Sequence, residues 1–425
     1  MRRQTSRSIR PIRRPTRAAS IFPLADGPSA KFIPEIIARP RRAAIRRRLL
    51  SWYDCNKRDL PWRRRSHDPY AQWVAEIMLQ QTRVETVLDF YQRFLTAFPT
   101  IRALADADHQ RVLKHWEGLG YYRRILHFHR AARTIRDSGG RIPRTSSELR
   151  SLSGIGEYTA AAIASIAFGE SVAAVDGNVA RVIARLFAIE QDTRIAATKR
   201  RIQRLADDLL APTRPGDFNQ AWMDLGSSVC TPKSPRCPTC PLRSLCRANA
   251  AGVTGEVPIS SARTRPVDQA HVVVLAIRDR KLLMRRRPEG GLWSGLWEFP
   301  TTESNGSLLR SRERILADPK AVGGKRGGRT DLQLVDSVLS DESLSRDSAP
   351  RSVGVVDHQL THRSLTFHVY AIDVRAPMRK CLPENRRWVS KRMFEKLPVS
   401  TAHRRIHAAF TELLATGASP VGVED

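Results

Sequence analysis

Between residues 46 and 210, apolar side chains recur three and four positions apart, and no two-residue alternation interrupts them. This spacing predicts a helix from Arg46 through LLSWYDC, a second over YAQWVAEIMLQQT, and others over about 84–97, 101–116, 121–138 and 195–210. The second helix is announced by Asp68-Pro69, a good N-cap followed by proline at the first helical position. Residues 46–246 thus read as all-helical, without internal repeats. A Gly-, Ser-, Pro- and Arg-containing stretch at 247–267 reads as a linker. Beyond it the period changes. HVVVLAI and KLLMRRR flank Arg278-Asp279-Arg280 as a hairpin, and LTFHVYAIDV reads as a further strand, so the second half is α+β. Residues 301–351 are weakly patterned and predict a long loop. The expected plan is an arm at 1–42, a helical core at 43–229 with a cysteine loop at 230–246, the linker, an α+β domain at 268–415 and a tail at 416–425.

The chain is organised around residues 152–178, LSGIGEYTAAAIASIAFGESVAAVDGN. Gly154-Ile155-Gly156 joins a short polar helical segment (145–151) to a longer apolar one (158–168). At such a turn the missing side chains let the N–H groups of the next helix approach a phosphate, and the helix dipole favours the anion. Asp176-Gly177-Asn178 then opens an amphipathic helix with Val179, Val182, Ile183 and Leu186 on one face. A carboxylate therefore sits near a phosphate-gripping element, which suggests chemistry on nucleic acid.

Charge strengthens that picture. The 425 residues carry a formal charge of +30. Residues 1–50 hold fourteen Arg or Lys against Asp26 and Glu35, but +18 remains without them. A polyanionic partner is expected. Residues 1–42 are Arg-rich, punctuated by proline and poor in acids, which favours disorder; a DNA-binding tail, a transit peptide and an early start site all remain open. No apolar run reaches the length of a membrane span. An intracellular protein is expected, in the cytoplasm and nucleoid if the source is bacterial, with organelle targeting through the arm left open.

Two further features carry chemistry. Glu76 is the one acid among Ala75, Ile77, Met78 and Leu79, where lost hydration raises a carboxyl pKa toward the general-acid range, although a helix glutamate alone more often faces solvent. Cys230, Cys237, Cys240 and Cys246 follow C-x6-C-x2-C-x5-C with prolines 232, 235, 238 and 241 between them. Thiolates so spaced suit zinc or an iron–sulfur cluster, and spacing does not separate the two. Cys55 and Cys381 are isolated and read as packing residues.

The glycine hairpin, the Asp twenty residues after its second Gly, and the cysteine spacing resemble the helix-hairpin-helix base-excision glycosylases of the endonuclease III superfamily. EIMLQQTRV, GLGYYRR and GLWSGLWEFP resemble more specifically the adenine DNA glycosylases of the MutY type. The resemblance covers roughly residues 50–400. It implies an all-α glycosylase core of two lobes flanking a cleft, a 4Fe–4S cluster on the four cysteines, and a C-terminal Nudix-like (MutT-like) domain that reads 8-oxoguanine. The implied partner is double-stranded DNA bearing adenine opposite 8-oxoguanine or guanine, met by a monomer.

In that family Glu76 would protonate adenine N7, and Asp176 would stabilise the oxocarbenium-like sugar electrostatically or by transient covalent capture. Tyr158 would support both, and Asn178 would position Asp176 or water. Strand-cleaving relatives resemble one another in having a lysine at position 158; Tyr158 here implies a monofunctional glycosylase. The adenine must leave the duplex. Gln80, Gln81, Thr82, Leu119 and Tyr121 would probe the opposite base and wedge the stack, with Leu119 and Tyr121 expected at an exposed turn, and Gly154, Ile155 and Gly156 would hold the backbone. The family's Phe-Ser-His lesion loop resembles Leu360-Thr361-His362, where leucine replaces the aromatic. TTESNGSLLRSRERIL after Pro300 lacks the paired glutamates of hydrolytic Nudix helices, which implies recognition without diphosphate hydrolysis. Lys233, Arg236 and Arg243 are expected to contact phosphates. The alternatives are an endonuclease III-like glycosylase and lyase, a noncatalytic lesion-binding protein, and a nucleotide-pyrophosphate hydrolase driven by the C-terminal domain.

Overall fold

The computed structural model describes residues 37–259, 265–304, 328–375 and 382–415, with side chains of 328–331 left aside. Its first part is helical. It comprises α1 (Arg39–Asn56), α2 (Pro69–Leu79), α3 (Val84–Ala97), α4 (Ile101–Asp106), α5 (His109–Trp116), α6 (Arg123–Asp137), α7 (Ser146–Leu149), α8 (Glu157–Phe168), α9 (Gly177–Phe187), α10 (Ala196–Leu209), α11 (Pro215–Ser228) and α12 (Arg247–Ala250).

Two cores divide these helices. Trp73, Tyr91, Phe94, Trp116 and Phe128 centre one lobe, built from α2 to α6 and one side of α8. Leu49, Ile183, Leu205, Phe218 and Trp222 centre the other, built from α1 and α9 to α11. Where the structure departs from the expected helices, local chemistry explains it. The helix expected at 101–116 breaks in two because Asp108 turns back to accept from the N–H groups of Gln110 and Arg111, capping α5. α2 stops at Leu79 rather than running through Thr82, and Gln81 takes a left-handed φ of 58°. α1 starts at Arg39, ahead of the expected core boundary. Residues 247–259, expected as linker, pack on the second lobe: Ala248 and Val257 are buried, and the Ile259 N–H reaches the Glu190 carbonyl at 2.9 Å. Cys55 is exposed, not packed, and Cys381 lies outside the described residues.

The second part is a mixed sheet of β1 (Val267–Arg278), β2 (Lys281–Arg286), β3 (Trp297–Glu298), β4 (Thr301–Glu303), β5 (Ser345–Arg346), β6 (Arg351–Gln359), β7 (Arg363–Arg375) and β8 (Arg386–Val389). β1 lies parallel to β7 from Val267↔Arg363 to Ile277↔Asp373 and forms the expected hairpin with β2. Both faces are covered. Val273 and Leu275 point to a core completed by α14 (Lys391–Lys396) and α15 (Thr401–Ala415), while Val272, Val274 and Ala276 point to α13 (Gly328–Asp341). That is why HVVVLAI reads as a continuous apolar run rather than an alternating one. The TTESNGSLLRSRERIL stretch lies, beyond Ser304, outside the described residues.

Candidate active site and nucleic-acid interface

α2 is apolar on nearly all sides, and every residue from Tyr70 to Met78 is buried. Glu76 shares that fate at 4% exposure. Its carboxylate is not left bare. Gln72, one turn earlier, donates to Oε1 at 3.0 Å, and the Tyr158 hydroxyl in the first turn of α8 donates to Oε2 at 3.0 Å. Burial pushes the Glu76 pKa up to about 7; the two hydrogen bonds oppose the rise and the charge of Asp176 adds to it. Burial also pushes the Tyr158 hydroxyl well above the usual phenol range, with the two carboxylates acting in the same direction. Tyr158 therefore remains a neutral donor.

Asp176 enters from the other lobe as the N-cap of α9. Oδ1 accepts from the Val179 N–H at 2.7 Å, and Oδ2 accepts from the Asn178 carboxamide at 3.0 Å. Asn178 is in turn held by Arg181, which donates to its Oδ1 at 2.9 Å. α11 comes close enough here that a Cβ on Gly226 would lie 2.8 Å from that of Asn178. The fold thus brings Glu76, Tyr158, Asp176 and Asn178 together where the lobes meet. One buried acid that ionises near neutrality faces one capped carboxylate, a pair suited to protonating a leaving group and stabilising a cation.

The hairpin lies on the first lobe. Gly154 has φ 80°, and a Cβ there would sit 2.5 Å from the Cβ of His127, so a side chain meets both strain and a clash. Gly156 is the N-cap of α8 and, having no side chain, leaves the first N–H groups of that helix uncapped. Ile155 is buried, and its N–H turns back to the Leu152 carbonyl at 3.3 Å, so Gly154 and Gly156 form the exposed rim.

A third group surrounds Arg124. Its guanidinium donates to the carbonyls of Ile77 (2.8 Å), Met78 (3.1 Å) and Gln80 at the end of α2, to Thr82 Oγ1 (3.3 Å), and to the carbonyls of Leu119 and Gly120 (3.3 Å each). Burial lowers its pKa to about 10. One side chain therefore gathers the segments 80–82 and 119–121. Gln80 also donates to Thr159 Oγ1 at 3.1 Å, and Gln81 is exposed. The exposure expected of Leu119 needs correcting: at 6% exposure it is part of the lobe core, its N–H turned back to the Trp116 carbonyl at 3.2 Å. Tyr121 alone is presented, 43% exposed with φ 46°. Its hydroxyl shares a hydrogen bond with Thr361 Oγ1. Leu360, Thr361 and His362 form the tip between β6 and β7; Leu360 packs against the sheet core while Thr361 and His362 are exposed.

Comparison with known proteins identifies the family. Residues 74–212 match the HhH-GPD superfamily base excision DNA repair protein family, and residues 271–409 match the NUDIX domain family. The adenine DNA glycosylase of Homo sapiens is 37% identical over 423 residues, an alignment covering 86% of this chain and 74% of that protein. That of Arabidopsis thaliana is 40% identical over 312 residues, covering 64% of this chain and 50% of that protein. The solved structure of a thermostable thymine-DNA glycosylase, 29% identical, covers 50% of this chain and 98% of its own with a TM-score of 0.46. The chain belongs to the adenine DNA glycosylase family.

In this glycosylase the four loop cysteines are half-buried, and Cys230, Cys240 and Cys246 pack beside the second lobe. Arg185 of α9 donates to Cys230 Sγ at 3.3 Å and to the carbonyls of Thr231 (2.7 Å) and Pro232 (2.9 Å). Among the described residues, no three His, Cys, Asp or Glu ligands close around the position of a single metal ion. The three basic residues of the loop, Lys233, Arg236 and Arg243, are exposed, and Arg236 donates to the Ser228 carbonyl at 3.1 Å.

Sequence reasoning missed Gln72, Arg124 and Arg181. Gln72 was findable, because it lies one helical turn before Glu76 on the same face. Nothing local in GLGYYRR marks Arg124 over Arg123 as the inward one. Arg181 also donates to the carbonyls of Gly226 (2.8 Å) and Cys230 (3.0 Å), contacts 45 and 49 residues away that no local pattern foretells. In the sheet domain the two buried glutamates are neutralised. Glu298 pairs with Arg285 at 3.0 Å and Arg287 at 2.5 Å, and Glu342 pairs with Arg285 at 3.3 Å and with Arg386. No described helix is long and apolar enough to cross a membrane.

Proposed function

We propose that this glycosylase releases adenine from pairs with 8-oxoguanine, and with guanine, and leaves the strand uncut. The observation that carries the reading is the hydrogen bond from Tyr158 to a buried Glu76 whose pKa lies near 7. A protonated Glu76 would transfer its proton to adenine N7, so that the electron pair of the C1′–N9 bond leaves with a neutral base. The Asp176 carboxylate would stabilise the oxocarbenium-like sugar, held in place by Val179 and Asn178. Water then adds to C1′ and gives a proton to the Glu76 carboxylate, which regenerates the acid and leaves an abasic site. With tyrosine at position 158 no amine is presented for a Schiff base, so strand cleavage is not expected.

DNA would be held by the rim of Gly154 and Gly156 and by the uncapped start of α8, with Gln81 and Tyr121 reaching the duplex and Thr361 and His362 reading the opposite base. Cys230, Cys237, Cys240 and Cys246 would hold a 4Fe–4S cluster. Four soft thiolate donors fit such a cluster. Bound there, it would supply folding energy and a fixed scaffold for Lys233, Arg236 and Arg243 near the DNA backbone.

The test is single-turnover cleavage of a labelled duplex with one adenine opposite 8-oxoguanine, for the wild type and Glu76→Gln, developed with and without alkali. Alkali-dependent cleavage at the adenine that vanishes in the variant is the expected result. Cleavage without alkali would instead indicate a lyase, and tight binding without base release a lesion-binding protein.

A further inference from the structure

The contacts between the helical part and the sheet domain concentrate on one short helix, α5. Its Gln110 is held by both ends of the carboxamide: Nε2 donates to the Gly295 carbonyl at 3.0 Å, and Oε1 accepts from the Trp297 indole N–H at 2.8 Å. Close approach is built in. Gly295 has φ 75°, and a Cβ there would meet Leu113 at 3.2 Å and His109 at 3.3 Å. Leu296, next in sequence, is a member of the core of the first lobe although it belongs to the sheet domain. Lys114 donates to the Leu397 carbonyl at 3.2 Å, and Arg404 of α15 binds Glu117, with Nη2 to Oε2 at 3.2 Å. Gln110, Leu113 and Lys114 recur at helical spacing and Glu117 follows as the C-cap, so one edge of α5 is the docking edge.

The helix ends where the exposed tyrosine begins. Gly118 (φ 101°), Gly120 (φ 70°) and Tyr121 (φ 46°) reverse the chain, and the Trp116 indole N–H donates to the Gly120 carbonyl at 3.0 Å, tying the turn to the last residue of α5. Tyr121 then meets Thr361 at the tip of the same domain that grips the other end of the helix. α5 spans only about 12 Å. The contacts of Gln110 and Tyr121 with the sheet domain thus bracket one short helix and the turn that follows it.

We propose that Gln110 and Trp297 are a positioning pair, through which the sheet domain sets where Tyr121 stands against the duplex. The pair acts on lesion discrimination and not on the acid chemistry of Glu76; this rests on the reading that the domain recognises the base opposite adenine. The GLWSGLWEFP motif is thereby assigned a use of its own, as a socket for α5.

The experiment compares the full chain with Trp297→Phe, which removes one N–H, with Gln110→Met, which keeps the side-chain length, and with the double variant. Single-turnover rates are measured on adenine opposite 8-oxoguanine and opposite guanine, and 2-aminopurine placed beside the opposite base reports unstacking by Tyr121. Each single variant is expected to lower the 8-oxoguanine preference about three- to tenfold, the range of one hydrogen bond. The 2-aminopurine signal should fall with it, the double variant should be no worse than the singles, and the pH profile should be unchanged. An unchanged preference and signal in the single variants, or losses that multiply in the double variant, would overturn the pairing. A wild type without any 8-oxoguanine preference would instead remove the lesion-recognition reading, and the fluorescence would still decide whether the pair positions Tyr121.

Discussion

The hydroxyl of Tyr158 donates to Oε2 of Glu76 at 3.0 Å, joining residues 82 positions apart. The bond opposes the effect of burial and helps hold the acid near pH 7 rather than higher. Activity should therefore depend on pH through Glu76. A general acid works while protonated, so kcat/KM is expected to fall as pH rises through about 7. Stability has the same sign. A carboxyl raised from 4.5 contributes fully below that value and loses its contribution as pH rises through about 7. Stopped-time base release from pH 5 to 9 checks the first, and urea melts over the same range check the second.

Tyr158→Phe removes the bond without changing the ring. The descending limb of the pH profile should move to higher pH, because the lost bond lowered the Glu76 pKa. The plateau rate should fall about tenfold as the carboxyl loses its orientation. A limb that stays in place would show that Tyr158 does not tune the acid.

Arg124→Lys cannot reproduce a planar fork shared among six oxygens of two segments. We expect a loss of about 2–4 kcal/mol in chemical denaturation, because buried carbonyls at the end of α2 are left unsatisfied. Base release should fall as well, since the carbonyls that lose their donor close the helix that bears Glu76.

Gly154→Ala adds a Cβ that overlaps His127 at a left-handed position. DNA affinity is expected to drop about tenfold, with a shallower dependence of log K on log salt, as phosphate contacts at the hairpin are lost. Glu76→Gln should leave affinity and salt slope unchanged, which separates the grip on the backbone from the chemistry.

The cysteine loop should retain about four iron atoms per chain when purified without oxygen, with visible absorbance that disappears in Cys237→Ser. Zinc recovered in place of iron would assign a mononuclear site. Loss of the metal should loosen the second lobe, because Arg185 ties Cys230 to α9, the helix that Asp176 caps.

Local pattern was enough for the helical first half, the hairpin, the cap at Asp68 and the β1–β2 turn, because each depends on side-chain period and on residues with special backbone preferences, all written within a few positions. Membership of the family was equally legible, since EIMLQQTRV and GLWSGLWEFP are long uninterrupted words. Burial was not. That Leu119 turns inward while Tyr121 turns outward, and that Arg124 rather than Arg123 gathers two loops, are decided by which faces the lobes press together; for Glu76 the apolar neighbours pointed to lost hydration, and the tertiary structure added the partners Gln72 and Tyr158. The joint through Gln110 and Trp297 spans 187 residues and leaves no local trace in either helix or strand. Period and turn chemistry act along the chain, so the sequence carries them openly. Desolvation, and with it the pKa of an acid, depends on what the rest of the chain places around a group, and only the tertiary structure decides that.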